Sequence, residues 1–591
     1  REAWEKRAER VRRQILVAEG LWPMPTKTPL QSVVHGRIDR GDYTVEKVYF
    51  ESVPGFFVTG NLYRPKTITG KVPGILSPHG HWPGGRFVDS GEAGVKRDIA
   101  DGAERFEEGG RSSLQARCVM LARLGCVVFH WDMLGNADSV QIPASIIHGF
   151  AKQRPEMNTR ENWGLYSPQA EAHLQSVMGL QTLNAIRALD FLLSLPEIDS
   201  ERVAVTGESG GGTQTMLLSA IDPRVKLSFP AVMVSTAMQG GCTCENASLL
   251  RIGTGNVEFA ALFAPKPLGM NSADDWTREL ATKGFPELQQ LYTLLGAPEK
   301  VMLTRGEHFK HNFNYVTRAA LYSWVNHHFH LGHAEPIVEP DFQRLTEAEM
   351  SVWNEQHPKP AVADPEFERK LLRWLREDTK TRLIPEEENV GRFQKATAPA
   401  IDVILGRNLE ETGEVEWKLS EKIDAGEWLQ MSGMVINKTH GEQLPALWIY
   451  PKAWTGKVVL WLSKEGKAGL FNANGELKPE LKKIVEKGSA LVGVDLLHQG
   501  EFLAPGTSFT TTSKVKNPRE SAAYTFGYNH TVFAHRVHDI LTMIRLIRSK
   551  PQKVKQLDAV ALDGAGPLLA AARSQSGDAI QRALIDTGGF R

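Results

Sequence analysis

The first half of this chain predicts an α/β fold, a mostly parallel sheet covered by helices, and three observations carry that expectation. Short apolar strand-like runs alternate with helical periodicity from about residue 70 onward. One of those runs, Val203-Ala204-Val205, passes through Gly207-Glu208-Ser209-Gly210-Gly211 into the helix-forming stretch Thr213 to Leu218. A fainter copy of the same order recurs after residue 400.

In chain order, a charged helix to about Glu19 leads through Pro23 and Pro25 to the strand-like runs Thr44 to Glu51 and Gly55 to Tyr63. Pro54-Gly55 between them predicts a hairpin. Val72 to Ser77 is a short apolar strand, and Pro78-His79-Gly80-His81-Trp82-Pro83-Gly84-Gly85 is the glycine-rich loop after it. A helix over Leu114 to Leu124 and a strand over Cys126 to Trp131 follow, then the turn that starts at Asp132. Arg154 to Ala172 is polar and irregular, and reads as a lid or substrate loop. Leu183, Ile186, Leu189 and Leu193 recur at steps of three and four, so a helix is expected there, stopping before Pro196. Phe229 to Val234, Leu268 to Asn271 and Val301 to Thr304 are the remaining strands, and Tyr315 to His328 the closing helix.

The stretch around Ser209 has the residue types of a nucleophile elbow. A serine hydroxyl attacks only when it is held proud, near a base and beside N–H groups that can bind an oxyanion. A sharp strand-to-helix turn supplies that placement, and glycines at 207 and 211 permit it. In this architecture, the α/β-hydrolase fold, the acid and the histidine follow the serine in that order. Asp274 and Asp275 lie just past the strand at 268–271, and His308 and His311 lie in the loop after the last strand. Spacing alone leaves each pair open. Gly210 N–H and an N–H of the loop near His81 are the expected oxyanion donors.

Composition narrows the partners. At 591 residues the chain is long enough for roughly two to four domains. Lys plus Arg and Asp plus Glu balance at 69 each, so no global field draws nucleic acid or an anionic membrane. No apolar run approaches the length of a membrane span. Four cysteines are too few for a disulfide framework. Cys118 and Cys126 read as buried apolar residues. Cys242 and Cys244 are spaced too closely for an ordinary zinc pair and have no histidine following nearby, so a local structural or disulfide role is expected and no metal or cofactor.

The segments Arg187 to Leu192, Gly207 to Thr215, Gly240 to Asn246, Asp275-Trp276-Thr277 and His311-Asn312-Phe313-Asn314 resemble bacterial α/β-hydrolases of the acetylxylan esterase group. That group is in turn related to dienelactone hydrolase and prolyl oligopeptidase catalytic domains. The resemblance covers about residues 1–335 and implies a serine esterase of plant polysaccharide or oligosaccharide, removing acetyl or methyl groups. It favours Asp275 and His311 over Asp274 and His308, and it implies an exported protein whose signal peptide is missing from this sequence.

Aromatic faces suit sugar rings, so Trp82, Trp131, Trp163 and Trp276 are candidate substrate contacts, together with His79. A uronate methyl ester would favour an arginine, for which Arg111 and Arg251 are candidates. A peptidase of the prolyl oligopeptidase type is the competing enzyme, disfavoured because the region before residue 70 has no room for a propeller. A non-catalytic carbohydrate-binding or scaffold protein is the alternative of a different class.

After a polar linker at 336–399, residues 400–591 read as a degenerate, non-catalytic and truncated repeat that packs on the first domain and shapes its cleft. Val458 to Leu462 and Ala490 to Leu496 are its strands, Asp495 echoing Asp132, and His538 to Ile547 its helix. Laying Val560 to Pro567 on Val203 to Gly210 puts Gly566 at the nucleophile position. Oligomeric state is not legible.

Overall fold

The computed structural model describes the chain except residues 83, 149–153, 384–389, 506, 512–520, 550–552 and 590–591. It divides into two compact units, Arg1–Glu386 with Val515–Tyr528, and Glu387–Lys514 with Asn529–Arg591. No described helix is long and apolar enough to cross a membrane.

The first unit holds nine strands: β1 (Val33–Asp39), β2 (Tyr43–Val53), β3 (Phe56–Pro65), β4 (Val72–Leu76), β5 (Val127–Trp131), β6 (Ile198–Glu208), β7 (Leu227–Ala231), β8 (Leu268–Ala273) and β9 (Val301–Gly306). Their spatial order is β1-β2-β3-β5-β4-β6-β7-β8-β9. β1, β2, β3 and β5 pair antiparallel in succession, and every pair from β5 through β9 is parallel. Apart from the edge strand β9 and the start of β6, the parallel strands are buried on both faces, which is why they read as unbroken apolar runs rather than as alternation. The expected hairpin is β2–β3. β1, mostly half-buried or exposed, had no such signal in the sequence.

Of the expected linker at 336–399, the described residues 336–383 belong to the first unit. Ile337, Phe342, Leu345 and Met350 belong to the same core as β4, β5 and β7. Glu339 closes a buried network in which Arg318 meets both Glu104 oxygens at 2.8 and 2.9 Å and both Glu339 oxygens at 2.6 and 2.9 Å. The helix Pro365–Leu383 carries Glu368, whose carboxylate accepts from Arg154 at 2.8 and 2.9 Å and from Leu165 N at 2.7 Å. The stretch from Arg154 expected as a lid is therefore stapled down. Trp163 within it is buried and stacks on His173.

A second part of the unit arrives from far along the chain. The described end of the Val515–Tyr528 segment receives hydrogen bonds from Leu249 N at Phe526 O, 2.7 Å, and from Arg251 N at Gly527 O, 2.8 Å. Those bonds satisfy backbone donors that would otherwise be buried unpaired.

The second unit contains β10 (Val415–Asp424), β11 (Trp428–Asn437), β12 (Glu442–Pro451), β13 (Lys457–Leu462), β14 (Ser489–Val494), β15 (Gln556–Ala561) and β16 (Arg582–Ile585). Their order, β10-β11-β12-β14-β13-β15-β16, repeats the first seven positions of the first sheet, and each neighbouring pair has the same sense as its counterpart. It is a degenerate hydrolase-like sheet. Among the described residues it has no counterparts of β8 and β9, the strands that lead to Asp275 and His311 in the first unit.

Register corrects the sequence alignment of the two elbows. Leu76 lies opposite Phe129 and Val205, and Leu460 lies opposite Val492 and Ala559. Asp132 and Asp495 then fall three residues beyond Phe129 and Val492, while Ser209 and Asp563 fall four beyond Val205 and Ala559. Both elbow residues have positive φ, 56° and 51°. Gly566 corresponds instead to Gly212. A side chain on either glycine would strike the carbonyl oxygen of the next strand's end, Ala231 or Asp586, so the residue must be glycine in both. The nucleophile's place is taken by Asp563.

A chain ending at residue 335 should be insoluble, because it removes Glu339 and four core side chains. A chain ending at 386 should fold with a lower Tm than the full chain, by several degrees, since Leu249 and Arg251 lose the 521–528 segment. Equal melting of the 386-residue and full chains, followed by circular dichroism, would show that segment to be dispensable.

Candidate active site

β6 ends at Glu208 and the helix Gly210–Ile221 starts at the residue after Ser209, so Ser209 makes the turn by itself. Its backbone sits at φ 56°, ψ −123°, a region in which a non-glycine residue costs about 1–3 kcal/mol. Two hydrogen bonds hold it there: Ser209 N donates to Ala231 O at 3.1 Å, and Thr213 N donates to Ser209 O at 3.0 Å. The flanking glycines let the loop after β4 come close. A Cβ on Gly207 would overlap Pro78 O, one on Gly211 would lie 2.6 Å from the same oxygen, and one on Gly80 would lie 2.7 Å from Ser209 Cβ. The Pro78-to-His81 loop is thus packed on the serine, as an oxyanion loop must be.

Three buried groups brace this contact. His79 Nε2 accepts from Met133 N at 3.1 Å, which leaves the proton on Nδ1 to donate to Gly80 O at 2.8 Å. Burial pushes His79 down to about 3, the hydrogen bond to Gly80 opposing. Glu208, fully buried, accepts from Arg117 Nη1 at 2.5 Å and from Trp82 Nε1 at 2.9 Å, while Arg117 Nη2 donates to Ser77 Oγ at 3.0 Å. The variable residue of the Gly-x-Ser-x-Gly motif therefore ties both ends of the loop to the elbow.

At the ends of β8 and β9 the structure joins Asp275 and His311. His311 Nδ1 lies 2.7 Å from Asp275 Oδ2, and Asp275 Oδ1 accepts from Thr277 N at 2.6 Å and Thr277 Oγ1 at 2.5 Å. Trp276 packs 4.6 Å from the His311 ring and Trp82 6.4 Å from it. The runners-up are engaged elsewhere. Asp274 pairs with Lys310 and with Arg278 at 2.9 Å, and His308 is exposed against Phe309.

Other candidates do not line an open cleft. His79 is fully buried and braces the loop, Trp131 is core, and Arg251 is buried with its donors on Glu245 O, Asn246 Oδ1 and Asn256 Oδ1. Arg111 is held by Asp89 at 2.9 and 2.5 Å. Cys242 and Cys244 are free thiols rather than a disulfide, and Cys244 Sγ lies 2.8 Å from His81 Nε2. Sequence reasoning missed Glu208 and Arg117, which are buried charges whose partner is only defined by the fold.

The acetyl xylan esterase (AXE1) family model matches residues 180–235 of the chain. Among solved structures the chain is similar to Methylesterase BT1017, at 26% identity and a TM-score of 0.50, covering 64% of this chain and 77% of that one. It is also similar to an acetyl xylan esterase from Paenibacillus sp. R4, at 16% identity and TM-score 0.32 with coverage of 55% and 92%. A glucuronoyl esterase from Solibacter usitatus aligns at 16% identity and TM-score 0.36, with coverage of 55% and 91%. No curated protein sequence matches. Sheet, elbow and family segment define the class, an α/β-hydrolase that is a carboxylic ester hydrolase. Within that class the chain is similar to the carbohydrate esterases.

Two consequences follow from the bracing groups. Glu208→Ala should cost about 3–5 kcal/mol, because it strands buried Arg117, and urea unfolding checks this; a loss below ~1 kcal/mol would mean that water replaces the carboxylate. For His79, the native state keeps the neutral ring, with its pKa at about 3 against an ordinary 6.5. The unfolded chain then takes up the proton first, so this contribution is complete above about pH 6.5 and drains as pH falls toward 3, by up to roughly 1.4 kcal/mol per pH unit. His79→Gln should flatten the acid limb of stability against pH relative to wild type. An unchanged slope would assign acid lability to other groups.

Proposed function

We propose that the chain hydrolyses acetyl esters on plant polysaccharide or oligosaccharide through Ser209, His311 and Asp275. The observation that carries the reading is the strained serine at the elbow, together with the His311–Asp275 hydrogen bond on the strand ends that follow it. Ser209 Oγ attacks the ester carbonyl carbon as His311 Nε2 takes its proton, and Asp275 holds Nδ1–H and stabilises the imidazolium. The tetrahedral oxyanion is received by Gly210 N–H, at the first position of its helix, and by an N–H of the loop at His81. His311 returns the proton to the leaving sugar oxygen. Water, deprotonated by the same ring, then attacks the acetyl-serine and releases acetate.

Trp82 and Trp276 beside His311 would offer aromatic faces to a sugar ring. A uronate methyl ester is the second reading, favoured by the likeness to Methylesterase BT1017. Against it, Arg111 and Arg251 are both committed to other partners. A polymeric substrate cannot enter a cell, which supports an exported site of action.

Ser209→Ala, His311→Ala and Asp275→Asn should each lower kcat on a small acetyl ester by roughly 10⁴-fold or more, while His308→Ala and Asp274→Asn stay within about tenfold of wild type. Acetylated xylan should be the preferred polymer in a panel with methyl-esterified pectin, glucuronoyl esters and peptides. Activity retained in purified Ser209→Ala would remove the mechanism, and turnover of pectin alone would favour the methyl ester.

A further inference from the structure

We propose that His81, His148, Cys242 and Cys244 bind a zinc ion beside the nucleophile, and that this ion fastens the oxyanion loop. The four residues come from three stretches distant in sequence, yet one ligand atom from each lies within 4.8 Å of all the others. His81 Nε2 is 2.8 Å from Cys244 Sγ, and His148 Nδ1 is 3.5 Å from Cys242 Sγ. Two thiolates and two imidazoles in a tetrahedral cluster are a donor set suited to zinc. Zinc at about 2.3 Å from sulfur and 2.0 Å from nitrogen needs edges of about 3.3–3.8 Å. The His81–Cys244 edge must open by under about 1 Å to meet that requirement, and His81 is the exposed member of the four.

The surroundings orient the ligands as metal sites require. His148 Nε2 lies 2.9 Å from Leu134 O and 2.9 Å from Asn136 Nδ2, so the ring is held from that edge with Nδ1 toward Cys242; with a metal on Nδ1, Leu134 O is the acceptor for the Nε2 proton. His81 Nδ1 lies 4.0 Å from Glu245 Oε1, a carboxylate behind the ring, with Nε2 toward the sulfurs. Glu245 Oε2 in turn accepts from Gly241 N at 2.8 Å and Cys242 N at 3.0 Å, fixing the loop that carries both cysteines. Zinc binds cysteine as the thiolate, so loading the site would release protons.

The ion would have four protein ligands and no open position, so its part is structural rather than that of a Lewis acid. Its place gives it a role all the same. A Cβ on Gly210 would lie 2.9 Å from His81 Cε1, which shows how closely the His81 ring is set against the residue after the nucleophile. Fixing His81 fixes the backbone that faces Ser209.

The full chain, produced with zinc in the medium and desalted, should contain about one zinc per molecule by plasma mass spectrometry. Cys242→Ser/Cys244→Ser should contain under about a tenth of that. If that variant fails to fold, cobalt loading of the wild-type chain decides: about one equivalent should bind and give thiolate charge-transfer absorption. Zinc below about half an equivalent after reconstitution, zinc retained by the double variant, or cobalt bound without that absorption would each overturn the site. These readouts do not involve ester hydrolysis, so they stand or fall independently of the proposed activity.

Discussion

The approach of the Pro78-to-His81 loop to the Ser209 turn is the contact on which the rest of the first unit's site depends. It is possible only because Gly80, Gly207 and Gly211 present hydrogen where any other residue would place a carbon against a backbone oxygen or against Ser209 itself. Close approach of two backbone segments also removes water from their polar groups, so each segment needs an internal partner. His79 supplies one by bridging Gly80 O and Met133 N. Glu208 supplies another by joining the elbow to Trp82 on the loop and to Arg117 beneath it.

Those braces are ionic or polar and fully buried, an arrangement that favours a single geometry more than it adds stability. The same device recurs where late segments fasten to the first sheet. Arg318 is shared between Glu104 and Glu339, and Glu368 accepts from both Arg154 and Leu165 N of the irregular stretch. Arg86 Nε donates to Asp132 at 2.8 Å at the end of β5, and Asp138 accepts from Val352 N at 2.8 Å. Residues 336–383 therefore complete the hydrolase unit, with Glu339 and Glu368 paired to it.

The second sheet shows what is left when the strand order persists and the chemistry does not. Its central strands match the first sheet pair for pair, and Asp563 keeps the positive φ of Ser209. The described residues include no strands that could deliver an acid and a histidine to it. Order of strands is set by burial of apolar faces, which tolerates loss of the site. A site of this kind needs particular side chains at particular strand ends, and among the described residues the second sheet lacks the two strands that carry Asp275 and His311 in the first.

The sequence alone determined the alternation of strands and helices, the hairpin, the strand-to-helix turn at Ser209 and the chain order of the acid and base candidates, because each is a local pattern of apolar period, glycine and turn residues. It could not separate Asp275 from Asp274 or His311 from His308 by spacing, since neighbouring residues reach the same loop. The hydrogen bond between His311 and Asp275, and the ion pairs that draw Asp274 away, are decided by how the ends of β8 and β9 are oriented. The sequence also misplaced the second elbow by three residues, because strand register is a matter of hydrogen bonds between distant strands and leaves no local trace. It read residues 336–399 as linker and Cys242 and Cys244 as a pair with no histidine following nearby, although His81 and His148 lie beside them in space. Contacts between residues far apart in the chain are written only in the tertiary structure, where burial forces each charge, thiol and imidazole to find its partner.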